Sequence, residues 1–325
     1  MKKVLITGAS GFVGTHLAQH LLEVGDARVH GTYLTDESMQ RSPVKDLIAF
    51  HKVDLQDRNA TEQLLKEVMP DEVYHLAANA LVTVSFANPL ATFHNNVDPQ
   101  VNLFESLRAC NLLTTKVLLT CSSEEYGFIA PKDLPMTETT ALRPANPYAV
   151  SKVAQDFLGL QYFISYKMPI IRVRSFTHVG PGQSPGFVVA DFSKQIAEIE
   201  KSVRQAQDDR RETVIKVGNM QTRRDFTDVR DMVRLYHLLL EKGEAGEVYN
   251  AGSGKSHVIQ EVMDSLIGLS SVKITLEEDP SKFRPADVPE ILADITKAQA
   301  ITGWKPEIPF EQTLKDALDY WRGIV

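Results

Sequence analysis

The feature that most constrains the fold is a glycine loop near the amino terminus. Residues 8–14 read Gly-Ala-Ser-Gly-Phe-Val-Gly; they end an apolar run, 3–9, and precede a segment of helical periodicity, 15–25. In such a unit the first glycine allows a tight turn, the second admits a phosphate, and the third lets helix pack on strand. The open N–H groups of the helix then face the phosphate. We therefore predict a dinucleotide site at Gly8, Ser10, Gly11, Phe12, Val13 and Gly14.

Further apolar strands and amphipathic helices alternate along the first half of the chain. The predicted strands are 27–34, 49–55, 72–78, 116–123 and 169–175, and the helices are 61–68, 92–110 and 147–166. This alternation predicts an α/β fold, a Rossmann-type doubly wound parallel sheet. We expect an NAD(P)-binding domain at 1–175 and a smaller α/β substrate-binding domain at 176–325, with part of 213–253 returning to the first.

The carboxyl-terminal half shows a different pattern. Glycine and proline crowd residues 180–186, and the polar segment 201–212 is typical of a solvated face or loop. Helical periodicity returns at 231–243, 256–269 and 310–325.

Composition narrows the class of protein. The net charge is -7, and a nucleic-acid partner would more often go with a basic surface. The two cysteines, Cys110 and Cys121, have no spacing that suggests a metal site or a disulfide framework. No signal-peptide pattern and no apolar run of roughly 18 residues occurs. We therefore expect a cytoplasmic protein that binds neither membrane nor nucleic acid.

The residues after the second strand leave the choice of dinucleotide open. That strand ends at Thr32, Tyr33 and Leu34, without the aspartate that usually binds the ribose of NAD. Asp36 could bind ribose, and Arg41 could reach a 2′-phosphate. The pattern leans towards NADPH or dual use. Asp54 and Leu55, at the end of the third strand, are predicted to lie beside the adenine.

A second glycine-rich segment imitates a phosphate-binding loop. Residues 252–256 read Gly-Ser-Gly-Lys-Ser. A P-loop needs a further glycine five positions before the one that precedes the lysine, and Tyr249 stands there. We predict a turn after a strand.

Tyr148 and Lys152 stand four residues apart on a predicted helix, so they share one face. The ammonium is then expected to favour the phenolate and to lower the pKa of Tyr148 from its usual value of about 10. A phenol of this kind can exchange a proton with a carbonyl or carbinol oxygen. Ser122, at the end of a neighbouring strand, could hold the same oxygen.

These motifs together resemble the extended short-chain dehydrogenase/reductase family, which modifies nucleotide sugars. The matching segments run nearly end to end: TGASGFVG (7–14), VDL (53–55), YHLAA (74–78), NNV (95–97), SSEEYG (122–127), NPYAVSK (146–152), RDFTDVRD (224–231), YNAGSG (249–254) and TGWKPEIPFEQTL (302–314). The resemblance implies a catalytic triad of Ser122, Tyr148 and Lys152, with Lys152 also bonding the nicotinamide ribose. It also implies that Ala77 and Ala78 line the cofactor site.

Within that family, residues 175–196 and 284–294 are similar to members that reduce GDP-4-keto-6-deoxy-mannose. The related GDP-mannose dehydratases have an Arg-Arg step where this chain has Gly182-Gln183. The resemblance implies an NADPH- or NADH-dependent reductase of a GDP-sugar. It assigns the substrate-binding residues Thr177, His178, Lys194, Arg224, Arg284 and Asp287, the basic ones for the diphosphate and Asp287 for a ribose.

Glu124 is compatible with more than one type of reaction. Dehydratases of the family carry a glutamate two residues after the position of Ser122, and there it acts as a base. We interpret Glu124 as a residue that orients substrate hydroxyls, with a catalytic base as the minority reading. The rivals are therefore a GDP-mannose 4,6-dehydratase and a nucleotide-sugar 4-epimerase, and, from another class, a non-catalytic redox sensor.

Two further expectations concern the partner and the sugar. The family usually has asparagine where this chain has Thr177, which puts placement of the sugar in doubt. The long helices 92–110 and 147–166 resemble those through which the family dimerises. Their apolar residues Leu103, Leu107, Phe157 and Leu160 could equally be core, so a homodimer is an expectation from resemblance.

Overall fold

The computed structural model describes residues 1–205, 213–283 and 287–325. Strands and helices alternate through the first half, as their apolar periodicity predicts. The elements are β1 Lys2–Thr7, α1 Phe12–Val24, β2 Ala27–Tyr33, α2 Asp36–Gln40, β3 Ala49–Lys52, α3 Arg58–Val68, β4 Glu72–His75, α4 Val82–Ala87, α5 Pro89–Ala109, β5 Lys116–Ser122, α6 Pro147–Tyr166 and β6 Ile170–Ser175.

The second half has shorter strands and longer gaps between them. Its elements are β7 Thr177–Val179, α7 Val188–Gln205, β8 Val214–Val217, β9 Arg223–Asp228, α8 Val229–Lys242, β10 Val248–Ala251, β11 Ser256–Val258, α9 Ile259–Gly268, β12 Thr275–Glu278, β13 Glu290–Ile291, α10 Thr296–Thr302 and α11 Phe310–Ile324. Short 3₁₀ turns cover Ser123–Tyr126, Pro131–Asp133 and Pro280–Lys282.

Seven strands form one sheet in the order β10-β6-β5-β4-β1-β2-β3. Every pair in it is parallel. The chain runs outward from β1 in both directions, so the strand order reverses between β1 and β4. Ligands of such sheets bind in the crevice beyond the carboxyl ends of the strands at this reversal. The predicted Rossmann-type sheet is confirmed.

Alternating side chains of β1 enter two different cores. Val4 and Ile6 pack with α1 and α8, whereas Leu5 packs with α3 and α5. Both faces of the strand are therefore covered, which explains why Val4, Leu5 and Ile6 are consecutive apolar residues. A third core lies apart from the seven-stranded sheet and joins α7, α9 and α11.

Some predicted element bounds need correction. Residues 256–258 are a strand, β11, because they pair antiparallel with β9; the predicted helix begins only at Ile259. Residues 201–205 are the last turn of α7, and 206–212 lie outside the described residues. Pro99 lies inside one continuous helix, α5. Among the helices of the described residues, none combines the length and apolarity needed to cross a bilayer.

Candidate active site

A cavity of about 780 Å³ opens at the carboxyl edge of the sheet, between the two halves of the chain. One part of its lining, the glycine-loop wall, comes from the segment 8–14 with Ala77 and Ala78; another part, the far wall, comes from β7 with Arg224 and Phe226. Most of the predicted site residues line this cavity: Gly8, Ser10, Gly11, Phe12, Val13, Gly14, Asp54, Leu55, Ala77, Ala78, Ser122, Glu124, Tyr148, Thr177, His178 and Arg224. Lys152, Lys194 and Asp287 are not among its lining residues, and Arg284 lies outside the described part of the chain.

The glycine-loop wall depends on the absence of side chains. Gly8 has a φ of +72°, a conformation that disfavours side chains. A Cβ on Gly14 would lie 2.4 Å from the Gly8 carbonyl oxygen and 2.7 Å from the Ala9 Cα. Ala77 crosses beside this turn, since a Cβ on Gly8 would lie 3.2 Å from its backbone nitrogen. The strand, the helix and the neighbouring strand end therefore meet closely here.

The first turn of α1 opens into the cavity. Gly11 is its N-cap and supplies no side-chain hydrogen bond to the helix. The N–H of Gly11 itself donates to the Gly8 carbonyl oxygen at 3.0 Å. Phe12 and Val13 line the cavity, and N–H groups at such a position, with the helix dipole, bind anions. The wall thus fits the pyrophosphate of a dinucleotide.

Hydroxyl groups lie beside the glycine loop, near the end of β2. Thr32 Oγ1 accepts the N–H of Gly8 at 3.0 Å, and the hydroxyls of Ser10 and Ser38 lie 3.0 Å apart. Asp54 lines the cavity, and its Oδ1 accepts the N–H of Gln56 at 2.9 Å.

Neither residue that bore on the choice between NAD and NADP lines the cavity. Asp36 Oδ2 accepts from Lys52 Nζ at 2.7 Å. Arg41 Nη1 lies 3.5 Å from Glu37, with both side chains exposed. These contacts favour neither dinucleotide.

Helix α6 positions Tyr148 and Lys152. Its N-cap is Asn146, whose Oδ1 accepts the N–H of Ala149 at 2.8 Å, and Pro147 takes the first helical position, as helix starts prefer. Lys152 Nζ is buried, donates to the Thr120 carbonyl oxygen at 2.9 Å and lies 5.9 Å from the centre of the Tyr148 ring.

The electrostatics of this pair differ from the prediction. Burial raises the pKa of Tyr148, and the hydrogen bond with Ser122 offsets this only in part. Burial also lowers the pKa of Lys152. The expectation that the ammonium lowers the pKa of the phenol was wrong for this structure, because loss of water on burial, and then the charge of Glu124, disfavour the phenolate. Tyr148 is therefore protonated at neutral pH and can donate a proton.

Ser122 ends β5 and caps the turn that follows. Its Oγ accepts the N–H of Glu124 at 3.2 Å, and its own N–H donates to Glu125 Oε1 at 2.8 Å. Glu124 lines the cavity, and its Oε2 accepts from Asn146 Nδ2 at 2.9 Å. Sequence reasoning missed Asn146 and Glu125. An Asn-Pro step before a helix would have indicated the first, and the Ser-x-x-Glu spacing of a capping box, from Ser122 to Glu125, would have indicated the second.

On the far wall, His178 is fixed by its neighbours. Its Nδ1 donates to the Phe176 carbonyl oxygen at 3.1 Å, and its ring stacks on Phe12 with 6.2 Å between centres. Burial lowers the pKa of His178, which favours the neutral ring. His178 and Thr177 line the cavity, and the His178 ring lies against Phe12 of the glycine-loop wall.

Arg224 and Asp287 form an ion pair. Arg224 Nη2 lies 3.0 Å from Asp287 Oδ1, and Nη1 donates to the Val288 carbonyl oxygen at 2.8 Å. Asp287 Oδ2 also accepts from Asn219 Nδ2 at 3.1 Å. Lys194 Nζ lies 3.7 Å from Glu198 and 5.9 Å from the Trp321 ring centre. The predicted ligand roles of these residues stay predictions.

The loop 252–256 is a turn, as predicted, and Asp225 explains why it cannot cradle a phosphate. Asp225 Oδ1 accepts the N–H of Ser253 at 2.7 Å, and Oδ2 accepts the N–H of Gly254 at 3.0 Å. The side-chain carboxylate of Asp225 thus takes the N–H groups that a phosphate would need.

Comparison with known proteins places this geometry in a family. The sequence profile of the family described as GDP-mannose 4,6 dehydratase matches residues 5–317. A GDP-6-deoxy-D-mannose reductase of Pseudomonas aeruginosa is 33% identical over 100% of this chain and 98% of its own length. A GDP-mannose 4,6-dehydratase of Yersinia enterocolitica is 30% identical over 96% of this chain and 91% of its own length. The chain belongs to this family of nucleotide-sugar-modifying short-chain dehydrogenases/reductases.

Solved structures show the same fold over the whole chain. RMD from Pseudomonas aeruginosa, complexed with NADPH, has a TM-score of 0.86 at 32% identity and covers 100% of both chains. UDP-glucose 4-epimerase from Thermus thermophilus, in complex with NAD, has a TM-score of 0.85 at 27% identity, with 99% of this chain covered and 100% of its own. The fold is thus shared by members that bear different activities in their names.

Proposed function

We propose that this protein reduces the C4 keto group of GDP-4-keto-6-deoxy-D-mannose to give GDP-6-deoxy-D-mannose (GDP-rhamnose), with NADPH or NADH. The observation that carries the proposal is Tyr148, a phenol kept protonated by burial, which lines, together with Ser122, a cavity that begins at the glycine loop. The full-length similarity to a GDP-6-deoxy-D-mannose reductase supports the choice of substrate.

The protein positions the substrate and supplies a proton. When bound, the reduced nicotinamide supplies the hydride for C4. Ser122 Oγ and the phenol of Tyr148 hold the C4 oxygen between them, and Tyr148 donates its proton to that oxygen. Lys152, anchored on the Thr120 carbonyl oxygen, places its ammonium behind the phenol and stabilises the phenolate that forms.

Recognition of the two nucleotides uses different walls. The N–H groups of the glycine-loop wall bind the dinucleotide pyrophosphate. Arg224, 11% exposed at the far wall, provides a guanidinium for the diphosphate of the GDP-sugar. The hydroxyl groups of Ser10, Thr35 and Ser38 line the cavity beside the end of β2 and are compatible with either cofactor.

One observation favours a second candidate, a GDP-mannose 4,6-dehydratase. Glu124 lies in the cavity with one oxygen held by Asn146, which is how a base would be aimed. In the reductase this carboxylate orients substrate hydroxyls. Substitution Glu124→Gln separates the two: the reductase keeps most of its keto-sugar turnover, whereas a dehydratase loses its base.

We also propose a cytoplasmic homodimer. Leu103 and Leu107 are fully buried in the core, but Val150, Phe157 and Ile164 of α6 are 46%, 52% and 58% exposed. These three stand at intervals of seven residues, so they share one face of the helix. A second copy covering that face would explain its exposed apolar side chains. Sedimentation at several concentrations checks this, and a monomer throughout would contradict it.

The deciding experiment is a paired assay with NADPH. One sample receives GDP-mannose, and the other receives GDP-4-keto-6-deoxy-mannose prepared fresh with a separate dehydratase. Oxidation of NADPH with the keto sugar alone supports the reductase. Conversion of GDP-mannose to the keto sugar without net cofactor loss would instead identify a dehydratase with Glu124 as its base. A C4 epimer formed without cofactor loss would identify an epimerase.

A further inference from the structure

Two carboxyl groups with no exposed surface meet beneath the candidate active site. Glu125 belongs to the 3₁₀ turn after β5, and Asp156 belongs to α6. Ligand atoms of these two residues and the Sγ of Cys121 lie within 4.8 Å of one another. The hydride-transfer chemistry proposed above uses neither carboxyl group, so their presence in the interior calls for a physical reason.

The nearby cations are divided unequally between the two carboxyls. Arg174 Nε and Nη2 lie 2.8 and 2.7 Å from Asp156 Oδ2, and Arg172 Nη1 bonds Asp156 Oδ1. The negative charge of Asp156 is thus balanced by two guanidinium groups. Their positive charge also disfavours a metal ion at this place. The charge of Asp156 is stable in the interior.

Glu125 has much weaker compensation. Its Oε1 accepts one backbone N–H, that of Ser122, at 2.8 Å. Its Oε2 is 3.5 Å from Arg174 Nε and, among the described residues, accepts no hydrogen bond. A second negative charge beside Asp156 is unfavourable at low dielectric. A proton on Oε2 removes that charge and supplies a donor to the neighbouring Asp156. Burial first, and the charge of Asp156 second, raise the pKa of Glu125, which favours the protonated form.

The carboxyl pair connects the two elements that carry the reacting groups. Asp156 stands four residues after Lys152 and eight after Tyr148, so all three share one face of α6. Glu125 holds the backbone of Ser122, whose hydroxyl is near enough to the Tyr148 phenol to favour its ionised form. A hydrogen bond between Glu125 and Asp156 therefore ties the end of β5 to α6 directly behind Ser122 and Tyr148.

We propose that Glu125 is a positioning residue for the ketoreduction: a protonated carboxyl, bonded to Asp156, that holds Ser122 in place beside Tyr148. This inference rests on the proposed reductase function. Glu125 touches neither substrate nor cofactor and acts through Ser122. The neutral form of its side chain is the active one.

The test compares three variants in steady-state kinetics with NADPH and the keto sugar. Glu125→Gln keeps an acceptor for the Ser122 N–H and a donor for Asp156, so we expect kcat within about twofold of wild type. Glu125→Leu removes both, so kcat falls about ten- to a hundredfold while KM changes little. Glu105→Leu is the matched control: Glu105 bonds Tyr162 and Arg108 outside the cavity, and its loss leaves kcat unchanged.

Two outcomes would overturn the proposal. If Glu125→Leu turns over like wild type, Glu125 positions nothing; if Glu125→Gln is as slow as Glu125→Leu, the ionised form is needed. Should Glu125→Leu fail to fold, Glu125→Met replaces it, because an unbranched side chain adapts to its surroundings.

The protonation is measured separately, by infrared spectroscopy. A carbonyl-stretch band of a protonated carboxyl is expected in wild type and absent from Glu125→Gln; its absence from wild type refutes the proposal. This measurement does not depend on turnover. A wild type that carries the band but leaves the keto sugar unchanged would refute the proposed function and, with it, the positioning role in ketoreduction.

Discussion

The two walls of the cavity are built in different ways. The glycine-loop wall comes mainly from seven consecutive residues, 8–14, and its shape depends on backbone close approach without side chains. The far wall is assembled from distant segments, with Arg224 paired at 3.0 Å to Asp287, 63 positions further along the chain. The first wall is thus a local device suited to any dinucleotide. The second depends on tertiary contacts, so we infer that substrate choice is decided there.

The largest effect is expected at Tyr148, which lines the cavity but belongs to neither wall. Replacing Tyr148 with Phe removes the proton donor and keeps the ring, so kcat falls by about a thousandfold. Binding of NADPH, followed by fluorescence titration, stays near the wild-type affinity because the glycine-loop wall is intact. Unchanged turnover would remove Tyr148 from the chemistry.

The next largest effect tests the far wall. In Arg224→Ala the guanidinium that we propose for the diphosphate is lost, so we expect KM for the GDP-sugar to rise about ten- to a hundredfold. The affinity for NADPH is unchanged, since Arg224 is not part of the glycine-loop wall. The control is Arg322→Ala, which breaks an ion pair with Glu200 away from the cavity. A weaker affinity for NADPH in Arg224→Ala would contradict the separation of the walls.

A third prediction tests the glycine-loop wall. Gly14→Ala brings a Cβ to 2.4 Å from the Gly8 carbonyl oxygen, so the loop must shift. We expect a cost of about 1–3 kcal/mol, seen as a lower Tm and weaker NADPH binding. Gly268→Ala, at the end of α9, meets nothing within 4 Å and is the matched control. Equal behaviour of the two variants would show that close packing at Gly14 is unimportant.

The last prediction concerns the stability of the fold alone and a histidine beneath the same wall. Thr7 Oγ1 accepts the N–H groups of Leu76 and Ala77, so its hydroxyl donates to His75 Nδ1 at 2.9 Å. Burial lowers the pKa of His75 to about 3, whereas in the unfolded chain histidine takes up a proton near pH 6.5. The neutral ring therefore contributes stability that is present above about pH 6.5 and is lost as pH falls towards 3.

Replacing His75 with Asn should reduce that dependence on pH. As pH falls through this window, the free energy of unfolding of the wild type decreases by about 1.4 kcal/mol more per pH unit than that of the variant, because the histidine takes up one proton on unfolding. Urea unfolding at several pH values measures the difference. Parallel curves for the two proteins would mean that His75 is protonated, or exposed, in the folded state.

Much of the fold could be predicted because its signals are local. The centre of the strand before the glycine loop is a run of consecutive apolar residues, since Leu5 and Ile6 enter cores on opposite faces of the sheet. The error at 256–258 has the same origin: the three residues continue a helical pattern, but pairing with β9 makes them a strand. The domain boundary at residue 175 stays a prediction. Strand β10 pairs with β6 in the large sheet, as expected for part of 213–253.

By itself, the sequence determined the features that depend on spacing along the chain. The glycine loop sits between a strand and a helix, and Tyr148 and Lys152 lie one turn apart on α6, because backbone geometry follows from short-range pattern. Only the tertiary structure decided the electrostatics. It buried Tyr148, so the pKa of the phenol rises; it paired Arg224 with Asp287; and it brought Glu125 against Asp156, 31 positions away. Burial and charge pairing depend on segments far apart in sequence, which no local pattern encodes.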